Sequence, residues 1–96
     1  MLVLVTYDVS TETKAGRRRL RRVATVCGDY GQRVQWSVFE CTVGAAELVV
    51  LRSRLVAEMD QAEDSIRLYF VDAEQRQKTE HYGVGKPVDL EGPLVL

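Results

Sequence analysis

The first nine residues constrain the fold more than any other stretch of the chain. Leu2 to Val9 is a short, β-branched and nearly continuous apolar run, the pattern of a central strand covered on both faces. It ends on Tyr7 and Asp8. The start carries no basic n-region and meets Asp8 too early for a signal peptide, and no run approaches the roughly 20 apolar residues of a membrane helix. The protein is therefore expected to be soluble and cytoplasmic.

Downstream, the period of the apolar residues changes twice. Ser10 to Thr13 offers helix caps, and Leu20, Val23, Ala24 and Cys27 follow the i, i+3, i+4, i+7 spacing of a buried helical stripe. Gly28 is a natural stop. Gln32 to Val43 alternates, with Val34, Trp36 and Val38 on one face and Gln35, Ser37, Phe39 and Cys41 on the other, which reads as extended. It contains no Gly or Pro turn signal, so one long strand and two short strands joined by an irregular bend are both open. After Gly44, Leu48, Leu51, Leu55 and Met59 return to helical spacing, widened by Val49 and Val56. Ser65 to Asp72 alternates again, with Ile66, Leu68 and Phe70 on one face. Residues 73–80 are polar, and Pro87 and Pro93 limit the tail KPVDLEGPLVL to edge strand or extended packing.

This order predicts an α/β (α+β) domain, a ferredoxin-like βαββαβ sandwich with both helices on one face of the sheet and an extra C-terminal extended segment. With no repeat or linker, residues 1–96 form one domain. Its core is expected over about 1–72, and the segment 80–96 is expected to pack on a partner. A chain this short buries only about 60 to 70% of its unfolded surface. Its second sheet face is left uncovered, so a homodimer formed face to face is expected.

Charge is segregated along the chain. Thirteen Lys and Arg oppose 14 Asp and Glu, which taken as a total argues against a basic nucleic-acid binder. Yet Lys14, Arg17, Arg18, Arg19, Arg21 and Arg22 place six cations in nine residues, with no acid from Lys14 to Gly28. Solvated helix faces normally mix signs, so this patch points to phosphate-backbone contact, with Lys14, Arg18, Arg21 and Arg22 opposite the apolar stripe and Arg17 and Arg19 flanking it. Asp8 has two readings. It caps the following helix, or it is a carboxylate ligand at the carboxyl end of a central strand, where α/β folds place ligand sites. The second needs a twofold axis, because Mg²⁺ sites use roughly one or two carboxylates plus water and phosphate.

Cys27 and Cys41 have neither zinc spacing nor a disulfide framework, and read as buried thiols. His81, the one histidine, reads as a surface or edge residue. Phe39 reads as core with Ser37 incidental beside it. No GxGxxG, P-loop, GxSxG or HExxH pattern is present, and neither RVQWSVFE nor IRLYFVD supplies an RNA-recognition motif.

Four segments in order, YDVS (Tyr7 to Ser10), RRRLRRVA (Arg17 to Ala24), YGQRVQWSVFEC (Tyr30 to Cys41) and IRLYFV (Ile66 to Val71), resemble the CRISPR-associated "Cas-two" family. The resemblance covers the first three quarters of the chain. It implies a ferredoxin-like homodimer that works in spacer acquisition, bridging copies of the CRISPR integrase subunit and supporting a DNA duplex. It also implies a Mg²⁺-dependent endonuclease or endoribonuclease activity that varies across the family. Carried over by position, the metal-binding and catalytic aspartate falls on Asp8 and its tyrosine neighbour on Tyr7. The arginine before the SVF motif falls on Arg33, and the serine and phenylalanine of that motif fall on Ser37 and Phe39. Among the helix arginines, Arg19 and Arg21 fit best. A non-catalytic DNA-binding scaffold and a toxin-type endoribonuclease of the same fold are the alternatives.

Overall fold

The computed structural model describes residues 1–72, 74 and 77–84. Its elements run β1 (Leu2–Asp8), α1 (Lys14–Gly28), β2 (Gly31–Gln35), β3 (Val38–Thr42), α2 (Ala45–Glu58) and β4 (Ser65–Val71). One sheet has the order β2-β3-β1-β4 with antiparallel neighbours, which is the ferredoxin-like arrangement expected. Of the C-terminal segment 80–96, expected to be extended and to pack on a partner, residues 85–96 lie outside the described residues.

The initial apolar run becomes a central strand, as its composition requires. Val3, Val5 and Tyr7 are buried beneath the helices, while Leu2, Leu4 and Thr6 are half-buried on the other face. Cross-strand pairing defines the faces. Val5 lies opposite both Phe39 and Leu68, and Leu4 opposite Glu40 and Tyr69. The core sits between the first set and the helices, where Val23, Val26, Cys27, Leu48, Leu51 and Leu55 close over it. Val26 widens the stripe of α1 beyond the expected residues. Val49 and Val56 do not widen that of α2, being 60% and 48% exposed. Each lies one residue, about 100° of helix, past a buried leucine, and the seam that α2 makes is too narrow to reach them.

The segment from 31 to 42 is two strands joined at Trp36 and Ser37, the second of the two alternatives left open, and Trp36 sits in the bend instead of on the strand face that the alternation gave it. Trp36 is 80% exposed at the turn. No non-glycine residue has a positive φ among those described, so this is not one of the mirror-image turns that advertise themselves with Asn-Gly or Gly. The pairing steps from Arg33↔Phe39 to Gln35↔Val38, leaving Val34 as the extra residue of a β-bulge. That one residue reverses the parity of β2, putting Gln35 on the face of Val38 instead of the face of Phe39.

Both helices start on local caps. The Thr13 hydroxyl accepts from the Gly16 N–H at 3.0 Å, and Glu47 accepts from the Gly44 N–H at 3.0 Å. Thr13 holds the N-cap, which removes the reading of Asp8 as a cap. Helix α1 ends at Gly28 as expected, but the cap residue Asp29 is right-handed at φ −70°, and Gly28 has no left-handed backbone. Cys27 and Cys41 are buried and free. Burial pushes the Cys27 thiol up to about 12 and the Cys41 thiol up to about 11, so they pack as apolar groups.

Candidate nucleic-acid interface

Adjacent residues of a strand face opposite ways, and this separates Tyr7 from Asp8. Asp8 is exposed at the end of β1, in register with Ser65 on the uncovered face. Tyr7 is buried on the helix side, its ring stacked on Phe39 at 6.2 Å between centroids. Arg33 shares that side, with its guanidinium carbon 5.2 Å from the Phe39 ring centroid and 5.8 Å from that of Trp36. The structure therefore brings Tyr7, Arg33 and Phe39 together and leaves Asp8 on the opposite face. Ser37 contributes through its backbone, its carbonyl accepting from the Tyr7 N–H at 3.1 Å. His81 is near the surface, with Nε2 at 3.1 Å from the Gly83 carbonyl oxygen.

The six cations of α1 are not equivalent. Arg19 is committed to the protein, its Nε donating to the Asp64 carboxylate at 2.8 Å and its Nη2 reaching Glu63 at 3.3 Å. This pairing competes with its expected role as a nucleic-acid contact, because the Asp64 side chain is fully buried and a buried carboxylate needs its partner. Arg22 lies 3.9 Å from Glu58, a long contact. The Arg17 side chain donates to the Thr11 carbonyl, a neutral acceptor, at 3.1 Å. Lys14, Arg18 and Arg21 are exposed with no carboxylate partner among the described residues. Arg21 and Arg33 line one hollow, and Lys14, Arg17 and Arg18 carry positive charge along the same helix.

Asp64 is a residue of the site that nothing in the sequence singles out. One Asp64 oxygen accepts from the Ser10 N–H at 3.1 Å, and the other accepts from Arg19 Nε and from the Asp60 N–H at 2.9 Å. It thus ties the loop after Asp8 to α1 and to the turn before β4. Burial alone would raise its pKa, but the Arg19 hydrogen bond and the two backbone N–H donors outweigh it and hold the carboxyl below its ordinary value. An aspartate just before a strand resembles any turn residue, and its partners lie 45 and 54 positions away.

A family model described as CRISPR associated protein Cas2 matches residues 1–79 of this chain. The chain belongs to the Cas2 family. It is 60% identical over 96 residues, with both chains covered in full, to a protein of Chlorobaculum tepidum named CRISPR-associated endoribonuclease Cas2. A Halalkalibacterium halodurans protein named CRISPR-associated endonuclease Cas2 is 47% identical, again over the whole of both chains. The crystal structure of Streptococcus pyogenes Cas2 at pH 6.5 superposes with a TM-score of 0.79 and 55% identity, covering 86% of this chain and 100% of that one. No helix among the described residues of this Cas2 chain is long and apolar enough to cross a membrane.

Proposed function

We propose that this Cas2 chain acts as a homodimer that grips nucleic acid by its phosphate backbone in CRISPR spacer acquisition, alongside the integrase subunit, and that Asp8 gives the dimer a metal-dependent phosphodiesterase activity. The observation that carries the reading is that Lys14, Arg17, Arg18 and Arg21 of α1 have no carboxylate partner among the described residues, while Arg19 is fully paired. Such concentrated like charge is self-repelling and is relieved by a polyanion. Relatives named endoribonuclease and endonuclease support the catalytic half.

Mg²⁺ suits the donor chemistry of Asp8, a hard carboxylate exposed at a strand end. A single chain does not complete the donor set, since no three His, Cys, Asp or Glu side chains gather among the described residues. The Asp8 carboxylates of two copies, with water and phosphate oxygens, would hold the ion. Bound there, it would polarise a phosphate and make water a better nucleophile. The arginines orient the backbone, and the half-buried apolar residues of the open sheet face supply the contact between copies.

The test is a cleavage and gel-shift panel on single- and double-stranded RNA and DNA, with Mg²⁺ or a chelator. Asp8→Asn is expected to abolish Mg²⁺-dependent cleavage and leave the gel shift intact. Cleavage that persists in the variant refutes the role of Asp8. A wild type that shifts nucleic acid without cutting it under any condition leaves the scaffold reading standing. Toxicity on expression alone would favour a toxin-type endoribonuclease.

A further inference from the structure

Between α1 and the β2–β3 turn lies an open-mouthed hollow of about 360 Å³, lined by Tyr7, Leu20, Arg21, Ala24, Thr25, Arg33 and Trp36. The volume is at the low end of the roughly 300 to 1,000 Å³ typical of small-molecule sites. Its wall is mostly apolar, yet it holds two polar features that the core does not explain. Tyr7 is only 6% exposed, and its hydroxyl is buried without a hydrogen-bond partner among the described residues. Buried hydroxyls are ordinarily satisfied, and this one lies just behind the wall of the hollow, a donor and acceptor reached by a ligand that displaces a side chain of that wall. The second feature is charge, for Arg21 and Arg33 are among the lining residues and none of these is an acid.

Trp36 completes the pattern. An indole left 80% exposed at a turn is an unused stacking platform, and Arg33 lies against its ring at 5.8 Å. We propose that this hollow binds one nucleotide unit, a flat base carrying a phosphate, presented either as a free mononucleotide or as an unstacked residue of a single strand. The base lies against Trp36 and the Leu20 and Ala24 wall. The Tyr7 hydroxyl takes a hydrogen bond from or gives one to the base edge, and Arg21 or Arg33 meets the phosphate. Choosing a base over other flat anions rests on the nucleic-acid reading above. A continuous duplex cannot present this shape, because its bases are stacked on both faces.

Trp36 is the only tryptophan in the chain, so its fluorescence reports on the hollow. The full chain is titrated with adenosine monophosphate, uridine monophosphate, ribose 5-phosphate and inorganic phosphate, by Trp36 fluorescence and calorimetry. The mononucleotides are expected to bind saturably and the two base-free phosphates to fail at the same concentrations. Ala24→Leu fills the hollow without touching an arginine, and is expected to weaken nucleotide binding by about tenfold or more while leaving the duplex gel shift unchanged. Tyr7→Phe, which removes only an unpartnered hydroxyl, should fold normally, melt no lower than wild type and still lose affinity by several-fold. A short single-stranded oligonucleotide that displaces the bound mononucleotide identifies the strand as the source, and one that does not identifies the free nucleotide. Absence of mononucleotide binding, equal binding by Ala24→Leu and Tyr7→Phe, or equal binding of inorganic phosphate overturns the proposal. If duplex binding persists in that case, the nucleic-acid function stands without this site. Mononucleotide binding without any duplex shift would instead sink the duplex reading and keep the site.

Discussion

At the scale of single residues, Asp64 shows how a side chain without chemistry of its own can govern a site. It joins Ser10, Arg19 and Asp60 through one carboxylate, and so determines where the chain goes after Asp8. Asp64→Ala strands those donors in a buried place and should cost on the order of 2 kcal/mol, read as a drop in melting temperature. Because the folded carboxyl lies below its ordinary value, its contribution is present above the unfolded pKa of about 3.9 and is lost as pH falls below that. An acid-unfolding titration should therefore show less loss of stability below about pH 4 in Asp64→Ala than in wild type. Arg19→Gln is expected to melt lower as well, yet change the gel shift less than Arg18→Gln. The opposite ranking would return Arg19 to the nucleic-acid surface.

Elements were legible where period alone decides them. The run of β1, the leucines of α2 and the alternation of β4 each read correctly, because burial on a helix or strand repeats with the geometry of the backbone. The β2–β3 hairpin was legible only as one of two alternatives, a long strand or two short strands joined by an irregular bend. Its turn uses Trp36 and Ser37 with no positive φ, and its bulge at Val34 reverses the alternation without leaving a mark in residue type. A second hidden constraint is Gly16 in the first turn of α1. An added Cβ there would lie 2.0 Å from the Ser10 carbonyl oxygen, so the loop after β1 can cross the helix only over a bare backbone. Gly16→Ala is expected to destabilise by about 2 kcal/mol or more, although alanine favours helix. A thermal melt equal to wild type would show that the loop can move aside.

At the scale of the molecule, the consequence of a two-layer sandwich is a sheet face that nothing covers among the described residues. Leu2, Leu4, Val38, Tyr69 and Val71 share it with Thr6, Asp8 and Arg67. Leu4→Lys puts a charge at its centre without entering the core under the helices. It is expected to convert a dimer to a folded monomer, seen by sedimentation alongside an unchanged circular-dichroism spectrum. If Asp8 acts across copies, the same variant loses cleavage. Binding through the α1 patch should weaken with salt by about 0.9 log units per log unit of salt for each phosphate contact, and a flat dependence would mean that the arginines do not engage phosphate.

The sequence by itself determined the order of the elements, the sheet's central strand and the segregation of positive charge into α1, because hydrophobic period and charge are properties of neighbouring residues. Tertiary structure alone decided which arginine is free and which is spent, that Asp8 and Tyr7 part to opposite faces while Arg33 joins Trp36 and Phe39, and that a buried tyrosine hydroxyl is left beside a cationic hollow. Those outcomes depend on contacts between residues tens of positions apart. Such contacts exist only once hydrophobic burial has folded the sheet against its helices and made each polar group find a partner or go without one.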